Sequence, residues 1–144
     1  LLKTKDLIMT VIKTLFAGVV LSVVSSLALA AANPLSVHVL NLQDGLPSPG
    51  VNVTLEKQDG KNWNTLNSAA TNEQGRIPGL YPDGQALEKG IYRVTFKTGE
   101  WFKAHKISSF FPEVPVIFEV DGTVAHYHIP LLLSPYGFST YRGN

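Results

Sequence analysis

The sequence predicts an all-β domain, an antiparallel sandwich that follows an export signal. Three observations carry this reading. Apolar and polar residues alternate with period two in four short runs. Turn-forming residues punctuate the chain between those runs. The first thirty residues have the layout of a secretory leader.

The leader comes first. Lys13 precedes an apolar stretch from Leu15 to Val24, and Ala28-Leu29-Ala30 supplies an A-x-A cleavage site. Gly18, Ser22, Ser25 and Ser26 break the apolar run, which makes it a poor permanent membrane span. The expected organisation is therefore a cleaved signal peptide, 1–30, and one domain, 31–144, in the periplasm. Cleavage would remove Lys3, Lys5, Lys13 and Asp6, leaving nine of twelve basic and ten of eleven acidic residues, a formal charge of −1. A near-neutral domain has no electrostatic footprint for nucleic acid or for an anionic membrane. Cysteine is absent, which excludes disulfides and a thiol nucleophile.

The strands follow in order. "LSVHVLN" sets Leu35, Val37 and Val39 against Ser36 and His38, and "GVNVTLEKQ" sets Val51, Val53 and Leu55 against Asn52, Thr54 and Glu56. "GIYRVTFKT" alternates Tyr92, Val94 and Phe96 against Ile91, Arg93 and Thr95, and "VPVIFEV" groups Val116, Phe118 and Val120. "TGEWFKAHKISS" breaks the pattern: Thr98 as N-cap, Glu100 in the first turn, and Trp101 and His105 four apart predict a short helix. The last run, with Leu131, Leu132 and Leu133, is apolar on both faces. It reads as a central strand or as one buried against another subunit.

Candidate chemistry rests on imidazoles. His126 and His128 are two apart, so they share one strand face, and His38 also opposes its strand's apolar set. If the two strands are neighbours, the three converge. Metal binding is one reading, but no carboxylate or thiolate stands beside them to complete a site. General acid–base catalysis is another, with Arg76 or Arg142 as the cation for a developing oxyanion. Taken alone, Arg76 in "TNEQGRI" is also what an exposed turn residue looks like.

The stretches "LSVHVLN", "DGLPSPGV", "TNEQGRI", "GIYRVTFKTGEWF", "SFFPEVPV" and "HYHIPLLLSPYGFSTYRGN" together resemble the 5-hydroxyisourate hydrolase family, transthyretin-like enzymes of urate breakdown. The resemblance spans Leu35 to Asn144, and its two ends are its most specific parts. It implies a transthyretin-like sandwich of two four-stranded sheets with one short helix. It also implies a homotetramer with active sites between dimers, a small-molecule substrate (5-hydroxyisourate) and no cofactor or metal. Carried over residue by residue, it makes His38, Arg76 and His128 catalytic. His126, Tyr141, Arg142, Gly143 and Asn144 would bind substrate. The terminal motif departs from the family's Tyr-Arg-Gly-Ser in one place, Asn144 for Ser. The alternative expectation is a secreted binding protein of the same fold, holding a small aromatic ligand or zinc.

Overall fold

Residues 31–144 are described by a computed structural model; the expected signal segment, 1–30, lies outside the described residues. The alternating runs become strands with the expected inside. β1 (Leu35–Asn41) buries Leu35, Val37 and Val39 and leaves Ser36 and His38 half-buried on its other face. β3 (Asn52–Asp59) buries Val53 and Leu55, β6 (Gly90–Phe96) buries Tyr92, Val94 and Phe96, and β7 (Val114–Val120) buries its two ends. β8 (Tyr127–Ser134) buries Tyr127, Ile129, Leu131 and Leu133 from its inner series. Period-two patterning thus reports the sheet face directly.

The remaining strands are the long β4 (Asn62–Ala70) and the short β2 (Leu46–Pro47), β5 (Arg76–Ile77) and β9 (Gly137–Thr140). β4 has no clear alternation and no fully buried residue, so its sequence gives little warning of a strand. It forms as the antiparallel hairpin partner of β3. One sheet runs β2-β1-β8-β9, with β5 also paired to β1, and the other runs β4-β3-β6-β7. Their inner faces make a single core around Tyr92, Phe96, Phe102, Leu55 and Leu131. The apolar run at the chain end is a central strand, flanked by β1 and β9.

Antiparallel pairing holds throughout except at one place. β1 and β8 run parallel, in a register that sets Ser36 opposite His128 and His38 opposite Pro130. No hairpin links these two strands, so no turn dictates their direction. β5 pairs antiparallel to β1 with Arg76 opposite His38.

The helix, α1 (Thr98–Ala104), corrects one detail. Thr98 is not its N-cap: Lys97 holds that position without a side-chain cap bond, and Thr98 is turned inward and buried. The Pro112 carbonyl accepts from Gly99 N–H instead, doing part of a cap's work from outside the helix. At the other end Lys106 adopts φ 57°, while Ile107 N–H reaches the Phe102 carbonyl and Lys106 N–H the Lys103 carbonyl. This is a Schellman arrangement with a non-glycine residue in the left-handed position. The Trp101 indole N–H donates to the Pro49 carbonyl (2.7 Å), fixing α1 to the turn before β3. No helix among the described residues is long and apolar enough to cross a membrane.

Gly75 sits where the β5 turn meets β1. Its φ is +68°, and a Cβ there would lie 2.6 Å from the Val39 carbonyl oxygen and 2.9 Å from Ser48 N. Gly60, at φ +58° in the β3–β4 hairpin, has nothing within 4 Å of the same atom. Gly60→Ala should cost only the left-handed penalty, about 1–2 kcal/mol. Gly75→Ala should cost clearly more, about 3 kcal/mol or above, because fixed backbone must also move. Urea denaturation of both variants distinguishes them, and equal losses would contradict the packing at Gly75.

Candidate active site

The site is assembled at one end of the first sheet by strand register. β1 contributes Ser36 and His38 from its outer series, β5 contributes Arg76 beside His38, and β8 contributes His128 beside Ser36. His126 lies one residue before β8 begins, yet its ring still reaches the cluster. The turn that delivers Arg76 is closed by Asn72. The Asn72 side-chain oxygen accepts from Gln74 N–H and Arg76 N–H (both 3.0 Å), and Gly75 N–H donates to the Asn72 carbonyl (2.8 Å). "TNEQGRI" is thus an Asx-type turn whose geometry hands Arg76 to the site.

Ser36 is the residue that sequence reading missed. Its Oγ is 2.9 Å from Nε2 of His126 and 2.7 Å from Nδ1 of His128. The other ring nitrogen of His126, Nδ1, is 2.9 Å from the Asn33 carbonyl oxygen. A signal for Ser36 existed in its spacing: it is two before His38 and so shares its face. A lone serine in a strand carries no chemical signature, and only the neighbouring strand reveals its partners.

Electrostatics favour neutral imidazoles. Burial, and then the Arg76 guanidinium, hold His38 below the ordinary 6.5, against a backbone contact at Gln74 that raises it. His128 is lowered by burial first, then by Arg76, His126 and His38, against a backbone contact at Ser36. A neutral imidazole keeps a lone pair, which is what a general base needs. Arg76 itself is exposed.

The tail divides. Gly143 joins the histidines: its N–H donates to the His128 carbonyl (2.9 Å), and a Cβ there would lie 2.4 Å from the His128 ring. Tyr141 and Arg142 do not meet the histidines within one chain. They line a cavity of about 300 Å³ with Tyr127 and Ile129, residues of the inner series of β8. The Arg142 guanidinium stands 5.9 Å from the centre of the Tyr127 ring. Beside it the Tyr127 hydroxyl donates to Asp121, whose carboxyl is pulled down to about 2 by Thr123, through its side chain and then its backbone, and by Tyr127. Asn144 is exposed. Among the described residues no group of three or more His, Cys, Asp or Glu side chains could hold a metal ion.

Among the described residues, two sheets, one short helix and a cluster of imidazoles beside a guanidinium define an all-β sandwich of the transthyretin fold with an ionisable surface site. Residues 35–143 match the sequence model of the HIUase/Transthyretin family, and the chain belongs to that family. A 5-hydroxyisourate hydrolase of Salmonella dublin is 49% identical over 133 residues, covering 90% of this chain and 97% of the relative. One from Mus musculus is 36% identical over 115 residues, covering 78% and 97%. The solved 5-hydroxyisourate hydrolase of Klebsiella pneumoniae superposes with a TM-score of 0.67 at 36% identity, covering 76% of this chain and 98% of that one. Transthyretin from Sparus aurata superposes with a TM-score of 0.71 at 27% identity, covering 76% and 96%.

The lowered imidazoles make stability depend on pH with a definite sign. Between 6.5 and the lower folded values of His38 and His128, the unfolded chain binds more protons than the folded one. Stability from these groups is present above 6.5 and lost as pH falls through the folded values. Urea midpoints taken from neutral pH down to about pH 5 should therefore fall, and a His38→Gln, His128→Gln double variant should flatten that slope. An unchanged slope in the double variant would place the titration elsewhere.

Proposed function

We propose that this chain hydrolyses 5-hydroxyisourate to 2-oxo-4-hydroxy-4-carboxy-5-ureidoimidazoline, opening the six-membered ring. The observation that carries this is the pairing of Arg76 with His38 across β1, whose other neighbour β8 carries His128, in a chain 49% identical to a protein named as that hydrolase. His128 takes the proton from a water, His38 helps to hold that water, and the water's oxygen adds to a ring carbonyl. Arg76 offsets the charge that grows on the carbonyl oxygen. The ring C–N bond then breaks, the nitrogen takes a proton, and a carboxylate remains. No covalent intermediate is required, since water itself is the nucleophile.

The reading extends to assembly and compartment. A homotetramer would let Tyr141 and Arg142, which line the cavity with Tyr127 within one chain, serve the histidine site of another subunit. Two observations support it: β7 and β9 are sheet edges with unpaired backbone on one side. Large apolar side chains are also exposed, among them Ile117, Tyr136 and Phe138. Periplasmic location rests on Lys13, the Leu15–Val24 stretch and the Ala28-Leu29-Ala30 site. A binding protein of the same fold would have no use for a guanidinium next to neutral imidazoles, and the arrangement favours the hydrolase.

Ultraviolet absorbance of freshly made 5-hydroxyisourate, with and without protein, tests the activity. His128→Ala should lower kcat about 10²–10⁴-fold, as loss of a general base does. Arg76→Ala should lower it about 10²–10³-fold. Folded, correctly assembled variants with unchanged rates would sink the assignment. Gly143→Ala should also slow turnover, because its new methyl group displaces the His128 ring; an unchanged rate would mean that the ring position is not critical.

A further inference from the structure

Resting on the hydrolase reading, we propose that Ser36 is a positioning residue that joins His126 and His128 into one proton relay, with Nε2 of His128 as its open end. Donor and acceptor capacities decide where each proton sits. A backbone carbonyl can only accept, so the 2.9 Å contact from the Asn33 carbonyl to Nδ1 of His126 requires a proton on that nitrogen. A neutral His126 then has its lone pair on Nε2, 2.9 Å from Ser36 Oγ. Ser36 has one hydrogen to give, and Nε2 of His126 is where it goes. Having given it, Ser36 Oγ can only accept from Nδ1 of His128 at 2.7 Å. His128 therefore carries its proton on Nδ1 and a lone pair on Nε2.

The same chain of bonds moves charge. As His128 Nε2 takes a proton from water, its Nδ1 proton passes to Ser36 Oγ, and the Ser36 hydroxyl proton passes to Nε2 of His126. The result is a neutral His128 protonated at Nε2 and an imidazolium at His126, with hydroxide delivered to the ring carbonyl. No electron pair or proton is left over. The step moves the positive charge off His128, a ring lowered by burial and by Arg76 and His38, onto His126, which is exposed. In reverse, a charged His126 donates from Nε2 to Ser36, which turns its own hydrogen toward Nδ1 of His128. His128 is then left with Nε2–H, the acid that the departing ring nitrogen needs.

Imidazole nitrogen NMR on ¹⁵N-labelled protein tests this without substrate. Above the imidazole titration range, both His126 and His128 should carry the proton on Nδ1, against the usual preference of a free imidazole for Nε2–H. Ser36→Ala should move the His128 proton to Nε2 and leave His126 unchanged, because Asn33 still holds it. Nε2–H on His128 in the parent protein, or no change in Ser36→Ala, would overturn the relay. In the hydrolysis assay Ser36→Ala should lower kcat about 10- to 100-fold with little change in KM, the scale of loss when a partner that orients a metal-bound imidazole is removed. Ser36→Thr, which keeps the hydroxyl, should recover most of that loss. A folded Ser36→Ala protein with parental kcat would overturn the proposal. Should the parent fail to hydrolyse 5-hydroxyisourate, the hydrolase reading falls, and the tautomer measurement still decides the relay. Should Ser36→Ala fail to fold, the parent's His128 tautomer decides it alone.

Discussion

Parallel pairing of β1 with β8 is the constraint from which the rest of the structure follows. It joins segments 92 positions apart, Ser36 to His128, without a turn to guide them. The entropy of closing so long a loop grows only logarithmically with length, so the cost is modest against the burial that follows. That burial is large: Leu35, Val37, Val39, Ile129, Leu131 and Leu133 all come from the inner faces of this pair. With β8 placed beside β1, β9 closes on its free side, and β5 and β2 find room on the far side of β1. The first sheet exists because these two strands meet.

The outer face of the same pair carries the chemistry, and one geometric fact serves both faces. A shift of β8 by one residue against β1 would turn its apolar set outward and send His128 into the core, away from Ser36 and His38. Packing energy therefore protects the site geometry, although no site residue contributes much to the core. Arg76 adds a second level of control. Its positive charge sits beside half-buried imidazoles and disfavours their protonation, so the rings stay available as bases near neutral pH. The cation that would stabilise an oxyanion and the effect that keeps the base neutral come from one guanidinium.

Fold likeness alone does not separate catalysis from carriage. The Klebsiella pneumoniae hydrolase and the Sparus aurata transthyretin superpose with similar TM-scores, 0.67 and 0.71. A sandwich of this kind is a support on which different sites can be mounted. The proposed hydrolysis rests instead on the content of one end of the first sheet, His38, Arg76, His126 and His128, held there by Asn72, Ser36 and Asn33.

Much of this was readable from the chain. Alternation identified the buried series of β1, β3 and β6, because burial of one sheet face imposes period two on the residues themselves, whereas the apolar run Leu131–Leu133 of β8 left its inner face open. Spacing along the strands singled out His38 and the His126–His128 pair, and the family resemblance carried the site to Arg76 in the middle of the chain. Tertiary structure alone decided the parallel direction of β1 against β8, since no connecting turn encodes it, and the β4 strand, which borrows its order from β3. It also decided that Ser36 stands between two imidazoles and that Arg142 lies over Tyr127, away from them. Contacts of that kind join residues about 90 positions apart or on opposite faces of a sheet. A sequence records what each residue prefers locally, while partnership across such distances is settled only when the strands have packed.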